Sequence, residues 1–204
     1  MKDRGFTLIE IIIALSLTAV IAVILYSAMG LGYRSVDRGQ EREDTSQRIR
    51  IAVARITDII HGAYPFFGTI DNKRVLYFLG DKDRLGIVTS DVDPDSTSPI
   101  EEPGLKWVSL FVDDGLKLRE KIFYDKDVFE DKGGRLYVLD PDVDSISFEY
   151  FDMDNKDKTG SWVSEWDPKK DRLPKAIKVS IVLKGKRGDI KVPPFIVSIM
   201  AYKR

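Results

Sequence analysis

The chain contains no cysteine. That rules out thiol nucleophiles, thiolate metal sites and disulfide staples. It has a single histidine, His61, so a serine triad or a histidine-based zinc site would have to be built around that one residue. His61 ends an amphipathic helical pattern, next to Gly62, where a histidine meets the negative end of the helix dipole. That account is simpler than catalysis, and no catalytic residue is expected. An excess of one charge is missing too. Lys and Arg number 32 against 33 Asp and Glu, a net charge of −1, which gives no electrostatic case for nucleic acid. An ordinary secretory cleavage site is also lacking. Tyr26-Ser27-Ala28-Met29-Gly30 is a poor match to the Ala-x-Ala pattern, and the apolar run before it exceeds the ~7–15 residues of a signal core. The helix it forms is expected to stay with the mature protein.

That run is the most informative feature present. Gly5-Phe6-Thr7-Leu8-Ile9-Glu10 leads into Ile11 to Tyr33, which carry no charge. The stretch is long enough for a helix to cross a hydrocarbon core of roughly 30 Å. Only Ser16, Thr18 and Ser27 bring polar side chains, and each can bond back to the helix. Glu10 stands at the mouth of the run with no basic residue beside it in the run. A carboxylate in a membrane helix costs roughly 2.5–3.5 kcal/mol on insertion scales, so it is read as functional. Lys2 and Arg4 before the helix favour a cytoplasmic N-terminus, while Arg34 and Arg38 beyond it weigh the other way.

These residues resemble the class III signal of type IV pilins and type II secretion pseudopilins. The resemblance implies cleavage by a prepilin peptidase between Gly5 and Phe6, then N-methylation of the new Phe6 amine. It makes Glu10 the fifth residue of the mature chain and its assembly residue. It also implies a single-pass protein of the bacterial inner membrane, with the later residues in the periplasm.

Beyond Asp44, apolar residues fall at Ile49, Ala52, Val53, Ile56, Ile59, Ile60 and Ala63, one stripe of a helix. Gly62 and Pro65 end it. One helix is therefore expected from about Phe6 to His61, with Gly30 and Gly32 lowering its propensity midway. Short apolar or alternating runs follow at Val75–Leu79, Leu85–Thr89, Lys106–Val112, Leu116–Tyr124, Leu136–Leu139, Ser145–Phe151, Lys175–Lys184 and Phe195–Tyr202, all read as strands. Asp113-Asp114-Gly115 is a turn between two of them, and Lys186-Arg187-Gly188 is another. Ser90–Gly104 is rich in proline without periodicity and reads as a loop. The expected fold class is α+β: a long N-terminal helix packed against antiparallel sheet. The expected segments are a leader over 1–5, a membrane half-helix over 6–33, an amphipathic half-helix over 34–64 and a strand-rich domain over 65–204. The last is of ordinary single-domain size, about 140 residues.

Val108-Ser109-Leu110-Phe111-Val112-Asp113-Asp114-Gly115-Leu116-Lys117-Leu118-Arg119 resembles a hairpin of the minor pseudopilin J family. Val143, Phe148-Glu149-Tyr150, Trp162, Trp166 and Leu173-Pro174-Lys175-Ala176-Ile177-Lys178-Val179 resemble its second block. The departure is a lengthened Lys- and Asp-rich stretch between Asp152 and Trp162. The resemblance implies a non-enzymatic part of the secretion pseudopilus. It would cap the tip with minor pseudopilins I and K, above H and the major pseudopilin, and support export of folded proteins. A type IV pilus minor pilin would carry the same signal. A membrane-anchored periplasmic enzyme or binding protein is the reading from another class. No cofactor is implied.

Three acidic groups call for a reading. Asp152, Asp154 and Asp157 begin like a calcium loop, and other pseudopilins bind calcium. Lys156 stands where an oxygen ligand belongs, and no glutamate closes the loop. They are the candidate metal ligands, set against a solvated loop. Asp91, Asp93 and Asp95, and Asp140, Asp142 and Asp144, each enclose a proline and read as turns. Trp107, in the hairpin, is expected to pack. Trp162 and Trp166 are placed in a loop, either packed or facing a partner.

Overall fold

The computed structural model describes residues 8–70, 72–89, 104–121, 128–130, 132–153, 159–185 and 188–201, without the side chains of 31–42 and 44. The chain divides into two compact units, one up to Arg48 and one from Ile49. Helix α1 spans Leu8–His61. In the first unit, every side chain from Leu8 to Met29 is exposed. An apolar helix with nothing packed on any side is suited to lipid or to partner helices, not to water.

In the second unit, the end of α1 carries the apolar stripe read from the sequence. Ile56 and Ile60 are fully buried, with Ala52, Ile59 and Ala63 nearly so. Ile49 and Val53 pack at the margin of the same core. The helix stops where the Gly62 amide donates to Asp58 O at 2.9 Å and the Ala63 amide to Ile60 O at 3.1 Å.

Among the described residues twelve strands follow: β1 Phe67–Ile70, β2 Lys73–Leu76, β3 Phe78–Gly80, β4 Leu85–Thr89, β5 Lys106–Val112, β6 Leu116–Lys121, β7 Arg135–Asp140, β8 Val143–Met153, β9 Gly160–Val163, β10 Ala176–Leu183, β11 Ile190–Lys191 and β12 Phe195–Ser198. β1 and β2 form a ribbon. β3 to β7 form a five-stranded antiparallel meander in chain order. The second five-stranded sheet runs β11-β10-β8-β9, with β12 also paired to β10. The helix and antiparallel sheets make the α+β arrangement expected of a pseudopilin.

Alternation along the meander sorts its side chains into two cores. Leu85, Ile87, Val108, Leu110, Leu116 and Leu118 join the helix stripe and the inner face of the second sheet, including Phe148, Ile177 and Val179. On the opposite face, Val88 and Trp107 join Tyr77 and Val128, with Phe66 and Ile70 packed against them. β4 is buried throughout because a core lies on each of its faces. The turn after β3 ties the two sheets together. Phe148 N donates to Lys82 O at 2.8 Å and Trp166 N to Gly80 O at 2.8 Å. The Tyr150 hydroxyl donates to Asp81 O at 2.7 Å. Burial pushes the Tyr150 phenol pKa up, so it remains a neutral donor.

Several strands depart from the sequence reading. Val75–Leu79, read as one strand, is broken at Tyr77. Its first part pairs with β1, and its second belongs to the meander. Between them the Tyr77 amide donates to Phe66 O at 2.9 Å, and its ring enters the second core. β1, β9 and β11 have no counterpart in the sequence reading; each is at most four residues long, too short to show a period. The strand read over Phe195–Tyr202 ends at Ser198, and of the one read over Leu116–Tyr124 the last three residues lie outside the described residues. Residues 90–103, most of the expected loop, lie outside the described residues, as do Lys186 and Arg187.

The Asp113-Asp114-Gly115 turn is as expected. Asp114 and Gly115 take φ of 49° and 102°. A Cβ on Gly115 would lie 2.7 Å from Pro141 Cα and 2.9 Å from Asp140 O, both backbone atoms that cannot rotate away. Gly115→Ala should therefore destabilise the fold by about 1–3 kcal/mol. A urea midpoint unchanged from wild type would refute the strain argument.

Candidate functional site

Glu10 lies in the first turn of α1, exposed. A carboxylate there meets the positive end of the helix dipole, which favours it. The exposed Ile9, Ile11, Ile12 and Ile13 surround it. Farther along, Ser16 Oγ donates to Ile12 O at 2.8 Å, Thr18 Oγ1 to Ala14 O at 2.8 Å and Ser27 Oγ to Val23 O at 2.9 Å. Each hydroxyl is thus satisfied within the helix, as a bilayer demands. Glu10 is left as the distinctive polar group of the run. Leu8–Gly30 is long and apolar enough to cross a membrane. Gly5 and Phe6 lie outside the described residues.

The other residues singled out in the sequence fall into different settings. His61 is exposed in the last turn of α1. Trp107 is 1% exposed, packed edge-on against Tyr77 and Phe129. Trp162 is not in a loop but in β9, at 36% exposure. Its ring lies 5.1 Å from Phe151, with Lys178 Nζ 5.1 Å from its centroid. Trp166 is buried at 5%, and its Nε1 donates to Arg172 O at 3.1 Å. Sequence reasoning could not separate these two tryptophans, because only the fold of the second sheet brings Phe78 and Tyr150 against Trp166.

Asp152 pairs with Lys170 Nζ at 2.5 Å and Arg172 Nη2 at 2.7 Å. Both cations also lie over the Trp166 ring. The carboxylate thus anchors the 166–172 turn to the end of β8. Asp152 and Arg172 line an open cleft of about 390 Å³ with Thr159, Gly160 and Ser161. Asp154 and Asp157 lie outside the described residues, as do Asp91, Asp93 and Asp95. Asp140 accepts a bond from the Asp142 amide at 2.9 Å, the turn role read from the sequence. Among the described residues, no three His, Asp or Glu side chains cluster as metal ligands.

Two comparisons with known families bear on this arrangement. Residues 1–26 match the prokaryotic N-terminal methylation motif. Residues 28–190, most of the chain, match the family model for type II secretion system (T2SS), protein J. The chain belongs to the protein J family. Among curated proteins, none matches it. Members of this family are minor pseudopilins of the type II secretion system, so the chain is a structural pilin-like component of that system. The methylation motif and the apolar helix together make it a membrane-anchored pseudopilin. Membership implies other pseudopilins as assembly partners and a prepilin peptidase as processing enzyme.

Proposed function

We infer that this J-family pseudopilin is a non-catalytic subunit of the pseudopilus tip. It is cut after Gly5, methylated on the Phe6 amine and held in the inner membrane by the first half of α1, with the strand-rich unit in the periplasm. There it assembles with minor pseudopilins I and K, above H and the major pseudopilin, and supports export of folded proteins through the outer membrane. One observation carries the reading: a protein J match across most of the chain, joined to a helix whose first turn holds a carboxylate in an otherwise apolar run.

The chemistry of Glu10 follows from that joint. After cleavage, the Phe6 amine and Glu10 lie four residues apart, about one helical turn. They pair within one chain on insertion. In the assembly, Glu10 meets the terminal amine of a neighbouring subunit instead. At 4 Å and an effective dielectric of about 20, such a pair gains about 4 kcal/mol before desolvation. Methylation keeps the amine basic. An unpaired carboxylate among apolar helices is penalised, so the pair sets the axial register of the incoming subunit.

Glu10→Leu should leave cleavage, insertion and the periplasmic fold intact. Recovery of I-like and K-like subunits with the full-length protein should fall by roughly tenfold, a net loss near 1.4 kcal/mol. Normal co-purification and full secretion, in cells lacking the wild-type chain, would remove Glu10 from the mechanism.

A further inference from the structure

The second core covers the outer face of the meander around Trp107 and Val88. Toward β7 that face is open. Strand register places Leu136 beside Arg119 and Arg119 beside Ser109. In the next row Val138 lies beside Lys117, and Lys117 beside Phe111. Leu136 and Val138 are 48% and 58% exposed. The guanidinium carbons of Arg84 and Arg119 lie 5.6 and 5.5 Å from the Phe111 centroid. This corner of the sheet is therefore apolar and cationic at once.

Its charges are unevenly answered. Lys117 Nζ pairs with Asp113 at 2.7 Å. Arg119 donates from Nη1 to Gly133 O at 3.0 Å. Its Nε is buried without an acceptor. Among the described residues it has no carboxylate within ion-pair distance. Arg84 crowds the same ring with a like charge. A half-buried guanidinium with no carboxylate bound to it attracts an external one.

The edge beside it is the longest sheet edge among the described residues. β7 has six residues and no proline. The other sheet edges are shorter: three residues in β3, four in β9 and two in β11. β12 has four and follows Pro193-Pro194. Exposed edges usually carry charge, proline or a bulge against unwanted pairing. β7 has the exposed Arg135 at its start and a bulge where it passes Leu116 and Lys117, and between them it presents Leu136 and Val138.

We propose that the open face of the meander, from Phe111 to the β7 edge, docks a neighbouring minor pseudopilin through a segment that sets carboxylates among apolar side chains, with Arg119 as the carboxylate receptor. The proposal rests on the assembly reading above and names the surface that serves it. Leu136, Val138 and Phe111 supply the apolar contact; Arg119 selects the charge.

The test uses the full-length protein in its own membrane with the other minor pseudopilins co-expressed. A photo-crosslinking benzoylphenylalanine at Leu136 should give an adduct with one of them. Arg119→Glu should reduce that adduct about tenfold, and Arg119→Lys by much less. Changing the crosslinked partner's carboxylate to lysine should restore the adduct to Arg119→Glu, which a merely structural role of Arg119 would not allow. Val138→Ser, at an exposed position that leaves the core intact, should weaken it several-fold. Adducts within the chain or with a second copy would overturn the proposal. So would no adduct from Leu136 while the subunits still co-purify, and that result would leave the assembly reading standing. Loss of co-purification in the wild type would overturn both.

Discussion

Gly5→Val should leave the chain uncut and unmethylated. In the proposed processing the scissile carbonyl belongs to Gly5, and a glycine there presents no Cβ to the peptidase. Valine places two methyl groups beside that carbonyl and crowds the attack. The consequences reach beyond processing. The Lys2 and Arg4 leader stays attached, so no free Phe6 amine forms one turn before Glu10. The carboxylate then loses the partner proposed to set register, and recruitment should fall to background. Mass spectrometry of the membrane-extracted protein decides the matter. Wild type should begin with N-methylated Phe6, and the variant should retain Met1 or Lys2. A wild-type chain beginning at Met1, or cut after Ala28, would overturn the processing model, as would efficient cleavage of the valine variant. The match of residues 1–26 to the methylation motif supports the expected result.

Trp107→Ala should remove a large part of the fold's stability. Trp107 is the largest fully buried side chain. It meets Phe129 at 5.2 Å and Tyr77 at 6.3 Å, both edge-on. Its ring also lies over Gly86, where a Cβ would come within 2.7 Å of Cη2. The small residue in β4 and the large one in β5 form a matched pair, so alanine at 107 leaves a cavity that a neighbour cannot fill. Phe or Trp to Ala truncations in cores cost about 3–5 kcal/mol, a large fraction of a typical ~5–15 kcal/mol. With a urea slope of ~1–3 kcal/mol/M, the midpoint should drop by about 2 M. Trp162→Ala should cost only about 1 kcal/mol, the scale of one exposed aromatic and cation–π contact. Far-UV circular dichroism reports both without relying on tryptophan fluorescence. Equal losses at the two sites would refute the packing account.

The sequence by itself determined the features that local chemistry encodes. The Gly5-to-Glu10 motif and the apolar run need no tertiary partner, because membrane length and an isolated carboxylate are properties of consecutive residues. The hairpin from Lys106 to Lys121 was legible because Asp113-Asp114-Gly115 sits between two alternating runs and supplies the positive φ values the turn requires. β10 was legible for the same reason: Ile177, Val179, Ile181 and Leu183 alternate with polar neighbours. The helix stripe from Ile49 to Ile60 declared its buried face through a period that only a helix satisfies.

Tertiary structure decided what depends on distant residues. The run at Val75–Leu79 looks continuous, yet β1 recruits one end and β4 the other, and Tyr77 turns between them. Trp162 and Trp166 stand four positions apart with similar surroundings in sequence. One is half-covered by Phe151 and Lys178, and the other is buried by Phe78 and Tyr150, because sheet pairing carries each to a different place. Asp152 looked like the start of a cation loop, but residues 18 and 20 positions later bring Lys170 and Arg172 to it. The corner formed by Arg119, Phe111, Leu136 and Val138 had no sequence signature at all. Its members come from three strands, and strand register, set by non-local hydrogen bonds, is what places the Arg119 guanidinium beside exposed aliphatic side chains.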